Sequence, residues 1–115
     1  MNSITVAEKL WFEETMLGAT LNFWSHQQPE GVLFRVGISF KSLEECSRQL
    51  QGNSTMWAIK DGSLTIYGDQ EELTLTFTSV DGQYVESALS LYGEELKVFK
   101  YAVNAFAARN KTYLN

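Results

Sequence analysis

The fold is decided by residues 93–110, GEELKVFKYAVNAFAARN, the only long stretch with an unambiguous helical period. Its apolar side chains recur at steps of three and four residues and make one stripe: Leu96, Phe99, Ala102, Val103 and Phe106. Glu94 and Glu95 at the start and Arg109 near the end suit the helix dipole. This spacing predicts a long helix over 94–110, and so amphipathic a helix needs a large apolar surface to lie on.

Most of the preceding chain alternates apolar and polar residues, which is typical of strands. The alternation is cleanest over residues 32–40, where every second position is apolar: Val32, Phe34, Val36, Ile38 and Phe40. Residues 19–25 predict a further strand, and residues 25–31, which hold the only proline, predict a loop. The apolar side of these strands is the surface on which we expect the C-terminal helix to pack.

Residues 4–14 fit two interpretations. As a strand, they place four apolar residues on one side: Ile4, Val6, Leu10 and Phe12. As a helix, they begin with a capping box at Thr5, but Glu14 then falls inside the apolar stripe. The strand is the interpretation we favour.

A short helix is predicted near 43–51, after the third strand. Ser42 and Glu45 have the spacing of a capping box. Three apolar residues follow at helical intervals: Leu43, Cys46 and Leu50. Gly52 supplies a stop signal.

The first predicted hairpin of the second half is centred on Asp61-Gly62. This dipeptide separates residues 55–60 from residues 63–67 and is a strong signal for a two-residue loop. Such a loop pairs Ile59 with Leu64 and Trp57 with Ile66, so apolar residues meet on one side of both strands.

The second predicted hairpin joins residues 73–80 to residues 84–92. A two-residue loop at Asp81-Gly82 would place Phe77 opposite Glu86. Shifting the register by one residue instead pairs Leu75 with Leu89, and Leu73 with Leu91. Because a one-residue slip turns a whole strand over, the apolar pattern outweighs the dipeptide. We therefore predict a three-residue loop or a glycine bulge at Gly82.

Together these elements predict an α+β fold in a single domain over residues 1–115. It comprises a mostly antiparallel sheet of six or seven strands, the short helix near 43–51, and the long helix near 94–110 packed on one face of the sheet.

The charge balance limits the classes of partner. Nine Lys and Arg against fourteen Asp and Glu give a formal charge of −5. An acidic chain disfavours binding of nucleic acid, and it permits a basic protein partner. With one cysteine, no signal-like start and no apolar run near ~18 residues, the chain is expected in the cytoplasm, without a disulfide or a membrane partner.

The residues that usually carry chemistry are scarce. His26 is the only histidine, so a zinc site of the usual kind is nearly excluded, and Cys46 is expected to be a buried structural thiol. Residues 69–72, DQEE, lack the ligand alternation of a calcium loop and predict a solvated acidic turn. We expect no catalytic residue, metal or cofactor. An enzyme that uses Glu86 with an unidentified second acid is the least favoured alternative.

The side of the last four predicted strands that faces away from the core is rich in Thr and Tyr. Such residues suit any exposed strand, but tyrosine is also enriched at the centres of protein interfaces. The candidate partner-binding residues on this side are Tyr67, Thr76, Thr78, Tyr84 and Glu86.

In organisation and charge, the chain resembles small bacterial α+β proteins of uncharacterised families. Some of these are carried on mobile gene cassettes, and others are immunity proteins that neutralise a toxin. No diagnostic motif accompanies the resemblance, so no functional residue carries over. The leading hypothesis is a non-enzymatic protein that binds another protein or a second copy of itself. The alternative is a carrier of a small molecule, held in a cavity between the sheet and the C-terminal helix.

Overall fold

The computed structural model describes residues 2–26, 31–52, 56–79, 81 and 83–114, with side chains described as far as Arg109. Its elements in chain order are β1 (Ser3–Ala7), β2 (Leu10–Thr15), β3 (Gly18–Ser25), β4 (Val32–Ser39), α1 (Phe40–Gln51), β5 (Trp57–Asp61), β6 (Leu64–Gly68), β7 (Glu72–Thr78), β8 (Val85–Tyr92) and α2 (Gly93–Leu114).

The strands form two sheets, so the expected single sheet of six or seven strands is wrong. The N-terminal sheet has the order β1-β2-β3-β4 and the C-terminal sheet the order β5-β6-β7-β8, with antiparallel pairing throughout. Each half of the chain is therefore a four-stranded meander followed by a helix. The alternating pattern tells which side of a strand faces the core, but it does not tell whether two sets of strands share one sheet.

Residues 4–14 are extended, as favoured, but they make two strands rather than one. The chain turns at Glu8-Lys9, and Ile4 pairs with Phe12. This register puts the apolar residues of both strands on the same side of the sheet, and an irregularity after Thr5 makes Ala7, rather than Val6, the partner of Leu10.

Helix α1 differs from the predicted short helix in its start and in its place. It has 12 residues, begins at Phe40 and follows the fourth strand. Its N-cap is Ser39, whose Oγ accepts a hydrogen bond from the backbone N–H of Ser42 at 3.2 Å. Ser42, the predicted cap, therefore lies inside the first turn. The predicted apolar residues of this helix are buried: Leu43, Cys46 and Leu50.

The hairpin between β5 and β6 is shifted by two residues from its predicted register. Ile59 pairs with Ile66 rather than with Leu64, and Asp61 pairs with Leu64. The connecting residues are thus Gly62 and Ser63, with Gly62 at a φ of +59° in the left-handed region. A shift of two residues leaves the same side chains on the same side, so the apolar pattern could not detect it.

The predicted register of β7 against β8 is confirmed, since Leu75 pairs with Leu89 and Leu73 with Leu91. The irregularity that permits it lies within the strands. Phe77 is opposite Ser87, but the next residue, Thr78, is opposite Val85, which leaves Glu86 as an extra residue on β8. The predicted bulge position, Gly82, lies outside the described residues.

Helix α2 closes the core. Its predicted stripe is buried: Leu96, Phe99, Ala102, Val103 and Phe106. The ring of Phe12 lies 5.6 Å from that of Phe99 and 5.7 Å from that of Phe106. Glu14, on the same side of β2 as Phe12, forms an ion pair with Arg109. Because α2 contacts α1 and strands of both sheets, the expected packing on one face of a single sheet is also wrong.

Beyond the helices, the inner faces of the two sheets meet directly. The ring of Phe77 lies 5.4 Å from that of Phe23 and 5.3 Å from that of Phe34. Close by, the hydroxyls of Ser25 and Ser87 are 3.0 Å apart. The outer face of each sheet is thus left without a covering element among the described residues.

In the same described part of the chain, neither helix is both long enough and apolar enough to cross a lipid bilayer.

Candidate functional site

The outer face of the C-terminal sheet is flat and made mostly of small side chains. In one cross-strand row Tyr67 is next to Thr74, and Thr74 is next to Ser90. In the adjoining row the exposed Lys60 is next to Thr65, and Thr65 is next to Thr76. Among these short residues stand larger ones, which include two aromatic residues, Tyr67 and the 66% exposed Tyr92. The face therefore offers a broad surface from which aromatic rings project.

The structure brings three of the five candidate partner-binding residues together on this face and places two at its end. Tyr67, Thr76 and Thr78 lie on the outer face, on β6 and β7. Because of the extra residue on β8, the neighbour of Thr78 is Val85 rather than Glu86. Glu86 and Tyr84 are exposed and line a shallow recess at the end of the sheet.

Negative charge is concentrated after Lys60, the one cation in the strands of this sheet, which lies on the outer face next to Thr65. Residues 61–96 carry eight of the fourteen Asp and Glu and none of the nine Lys and Arg. The eight are Asp61, Asp69, Glu71, Glu72, Asp81, Glu86, Glu94 and Glu95. Glu72 is opposite Tyr92 across the strands, and Glu94 and Glu95 begin the helix that follows Tyr92. Counting charge over the whole chain hid this segregation, and counting it over a sliding window would have found it.

Two of these carboxylates are held in their ionised form by hydrogen bonds. Asp69 Oδ1 accepts from the backbone N–H of Glu71 at 2.8 Å and of Glu72 at 3.0 Å, and these bonds lower the pKa of Asp69. The hydroxyl of Ser79, and then the backbone N–H of Gln83, lower the pKa of Asp81 in the same way. Both groups therefore stay charged further into acid than ordinary aspartates do.

The acidic loop between β6 and β7 is also more than the solvated turn that its sequence predicts. The side-chain amide of Gln70 donates to the carbonyl oxygens of Gln49, at 3.0 Å, and of Gly52. Lys100 Nζ donates to the backbone oxygen of Gln70 at 3.2 Å. This loop thus ties the end of α1 to α2, and Gln70 satisfies carbonyl groups that a helix C-terminus leaves without partners.

The outer face of the N-terminal sheet holds an unusual buried polar group that the sequence analysis missed. Asn22 is only 1% exposed, between its cross-strand neighbours Trp11 and Arg35. Its Nδ2 donates to Glu13 Oε1 at 2.9 Å, and that oxygen lies 3.8 Å from Arg35 Nη2. Its Oδ1 has no hydrogen-bond partner among the described residues. The alternation correctly places Asn22 on the outer side, but it does not reveal that Asn22 is buried there.

The surroundings of Cys46 and of Glu86 do not suit catalysis by these groups. Burial raises the pKa of the Cys46 thiol to about 12, so it stays protonated and is a poor nucleophile or ligand. No group of three or more His, Cys, Asp or Glu in the described ranges is placed to hold a metal ion. Asp81 lines the same recess as Glu86, but its lowered pKa is the wrong direction for a general acid.

The space between the helices and the sheets is filled. In the described part of the chain the enclosed cavity there measures about 10 Å³, and it is lined by apolar side chains such as Phe12, Leu43 and Phe99. Holding a single water takes roughly 10–15 Å³, whereas small-molecule sites are roughly 300–1,000 Å³. This cavity could not hold a carried ligand without a large rearrangement of the core.

Comparison with models of known protein families, with curated proteins and with solved structures gives no match. What the protein does therefore has to be inferred from its own geometry and charge.

Proposed function

We propose that this protein is a non-enzymatic binding protein, and that the outer face of its C-terminal sheet binds a basic protein partner. The observation that carries the proposal is the charge segregation. Residues 61–96 carry eight carboxylates and no Lys or Arg, and Glu72 lies on the flat face opposite the exposed Tyr92. The face also holds Lys60, and Asp61 and Glu94 are bonded to Ser39 and Lys97. Opposite charge on a partner speeds encounter and fixes orientation, and it excludes acidic competitors.

The side chains of this face suit recognition by contact. Thr65, Thr74 and Thr76 are short, so covering them costs little rotamer entropy. Tyr67 and Tyr92 have large rings with a polar end, the type of residue that anchors interfaces. Tyr92 lies among carboxylates, so a lysine or arginine of the partner could sit over its ring, an interaction of about 0.5–2 kcal/mol.

The competing functions have less support. A carrier needs a cavity far larger than the 10 Å³ found beneath α2. An enzyme needs a group with a suitably shifted pKa in a pocket, whereas Glu86 is exposed and its neighbour Asp81 is held ionised. We further propose a cytoplasmic setting and a role like that of the immunity proteins that the chain resembles, in which covering a basic surface of the partner is itself the activity.

The test is affinity capture with charge-reversed variants. The double variant Glu72→Lys/Glu86→Lys reverses two exposed carboxylates at opposite ends of the face, where neither side chain supports the core. We expect wild-type protein to retain a partner with an isoelectric point above neutrality, and the double variant to lose it. Raising the salt concentration should weaken capture, because exposed charges are screened within about 10 Å at 0.1 M.

The matched control is Glu8→Lys, which reverses an exposed carboxylate at the turn between β1 and β2, on the other sheet. It should retain the same partner as wild type. The proposal would be refuted if the double variant captured that partner as well as the wild type does. It would also be refuted if the double variant captured every protein that the wild type and Glu8→Lys capture.

A further inference from the structure

The two sheets have four edge strands, and these differ in how well they are protected from pairing with another chain. Strand β1 contains a register irregularity and packs against α2. Strand β8 carries the extra residue Glu86, and β5 has only five residues. Strand β4 has eight residues and pairs with β3 without any irregularity; it also contacts α1 and β5, with a hydrogen bond to Asp61 at its last residue, Ser39. Long, regular, exposed edges are those that pair with other chains, and natural proteins usually block them.

The backbone direction along β4 can be read from its last bonds. Phe40 N donates to Leu17 O at 3.1 Å, so it points towards the β3 side of the strand. Ser39 N points the opposite way, away from β3, and donates to Asp61 Oδ2 at 3.1 Å. Since these directions alternate, the N–H and C=O groups of Leu33, Arg35 and Gly37 also point away from β3. Within the described ranges, no hydrogen bond reaches any of those groups.

Gly37 has no role within its own chain that requires a glycine. It is exposed, its φ is not positive, and a Cβ added to it would meet nothing within 4 Å. Glycine weakens the interior of a strand, and there it often marks a place where another backbone approaches closely.

The exposed large hydrophobic residues of the N-terminal sheet gather around the same edge. Met16 and Leu17 are each 82% exposed, and Leu33 is 40% exposed. Met16, Leu17 and Gly37 line an open cleft of about 530 Å³, whereas Leu33 lies four residues before Gly37 on the same side of β4. Leu33 therefore projects near one end of β4. Near the other end lies the cleft, where Gly37 has no side chain and where Ser39 and Asp61 also form part of the lining.

We propose that β4 pairs in antiparallel fashion with β4 of a second copy of this chain, with Arg35 on the two-fold axis. Leu33 of each copy is then opposite Gly37 of the other and enters the cleft beside it. The backbone groups of Leu33, Arg35 and Gly37 all gain partners. This register also keeps Phe34 and Val36 on the inner side, so the two N-terminal sheets become one eight-stranded sheet. The pairing is independent of the proposed binding of a basic partner.

The charge distribution favours a second copy at this edge. Residues 1–60 carry five Lys and Arg and six Asp and Glu, so they are nearly neutral although the whole chain is at −5. The two Arg35 side chains that face each other each have a carboxylate of their own, since Glu13 Oε1 lies 3.8 Å from Arg35 Nη2. Two copies can thus approach at β4 with little of the repulsion that their acidic C-terminal sheets would cause.

The first part of the test is the mass in solution by light scattering, from about 1 µM to about 1 mM protein. Wild-type protein should approach twice the chain mass of 13.0 kDa as its concentration rises. Gly37→Lys has room in the monomer and places a charge where Leu33 of the second copy would lie, so it should remain a monomer. The control Ala58→Lys, at an exposed position on the edge strand β5, should dimerise like wild type.

The second part is amide hydrogen exchange at low and at high concentration. The amides of Leu33, Arg35 and Gly37 should become protected only at high concentration, whereas that of Ser39 should be protected in both because Asp61 already accepts from it. A wild-type protein that stays monomeric over the whole range would overturn the proposal. So would a dimer that Gly37→Lys leaves intact, or one in which those three amides exchange at the monomer rate.

Discussion

Truncating Phe12 tests the central feature of the fold, the contact between the N-terminal sheet and α2. Its ring is fully buried, 5.6 Å from that of Phe99 and 5.7 Å from that of Phe106. Replacing a buried phenylalanine by alanine costs about 3–5 kcal/mol, from lost transfer free energy and from the cavity left behind. A domain's whole free energy of unfolding is about 5–15 kcal/mol, so Phe12→Ala should remove a large part of it.

The assay for Phe12→Ala is urea unfolding followed by tryptophan fluorescence. With a slope of about 1–3 kcal/mol per M for a small domain, we expect the midpoint to fall by roughly 2 M. The control Tyr101→Ala removes an aromatic ring of α2 that is 65% exposed and should change the free energy of unfolding by no more than about 0.5 kcal/mol. A loss below about 1 kcal/mol for Phe12→Ala would refute the packing of β2 against α2.

Two further substitutions probe the backbone and the thiol. Gly18→Ala should lower the melting temperature sharply, because Gly18 has a φ of +151° and an added Cβ would lie 2.0 Å from Ile38 O. The control Gly37→Ala should leave the melting temperature nearly unchanged, because an added Cβ there meets nothing within 4 Å. Equal melting temperatures for the two variants would contradict this difference. Cys46 has its pKa raised from 9.0 to about 12 in the folded state, so the unfolded chain ionises first and the free energy of unfolding should fall as pH rises from about 9 towards 12. Urea unfolding at several pH values should show this slope reduced in Cys46→Ala, and an unchanged slope would count against a buried thiol.

The apolar periodicity was sufficient to predict which side of each element is buried. The five stripe residues of α2 and the pairing of Leu75 with Leu89 follow from it directly, because the burial of apolar side chains largely determines both. It could not separate one sheet from two, since Phe23 and Phe77 show the same alternation whether they belong to one sheet or face each other across a core.

The turns were predicted less well, because their positions depend on backbone geometry that single residues only suggest. Asp61-Gly62 does mark a hairpin, yet Asp61 belongs to the strand, and the connection is Gly62-Ser63. In the next hairpin the shift occurs opposite Phe77 and Thr78, where Glu86 takes no cross-strand partner. Glu86, a charged residue in mid-strand, is the available signal for that bulge, but in the sequence the same signal also suits a partner-binding residue or a general base.

The candidate surface was predicted in part. The alternation places Tyr67, Thr76 and Thr78 on one open face, as the structure has them. The acidic character of that face needed a local count of charge, and the unpaired oxygen of Asn22 needed coordinates, because its burial depends on large neighbours from two other strands.

The meander topology has a consequence for how the chain is made. Each strand pairs only with its neighbours along the sequence, so both sheets can assemble from local hairpins while the ribosome is still adding residues. Phe12, however, has its ring partners at positions 99 and 106, which emerge only after the strands of both sheets. Until α2 has been made, the apolar side of the N-terminal sheet has no helix α2 to cover it, and in this interval the nascent chain is exposed to misassembly or to capture by a chaperone.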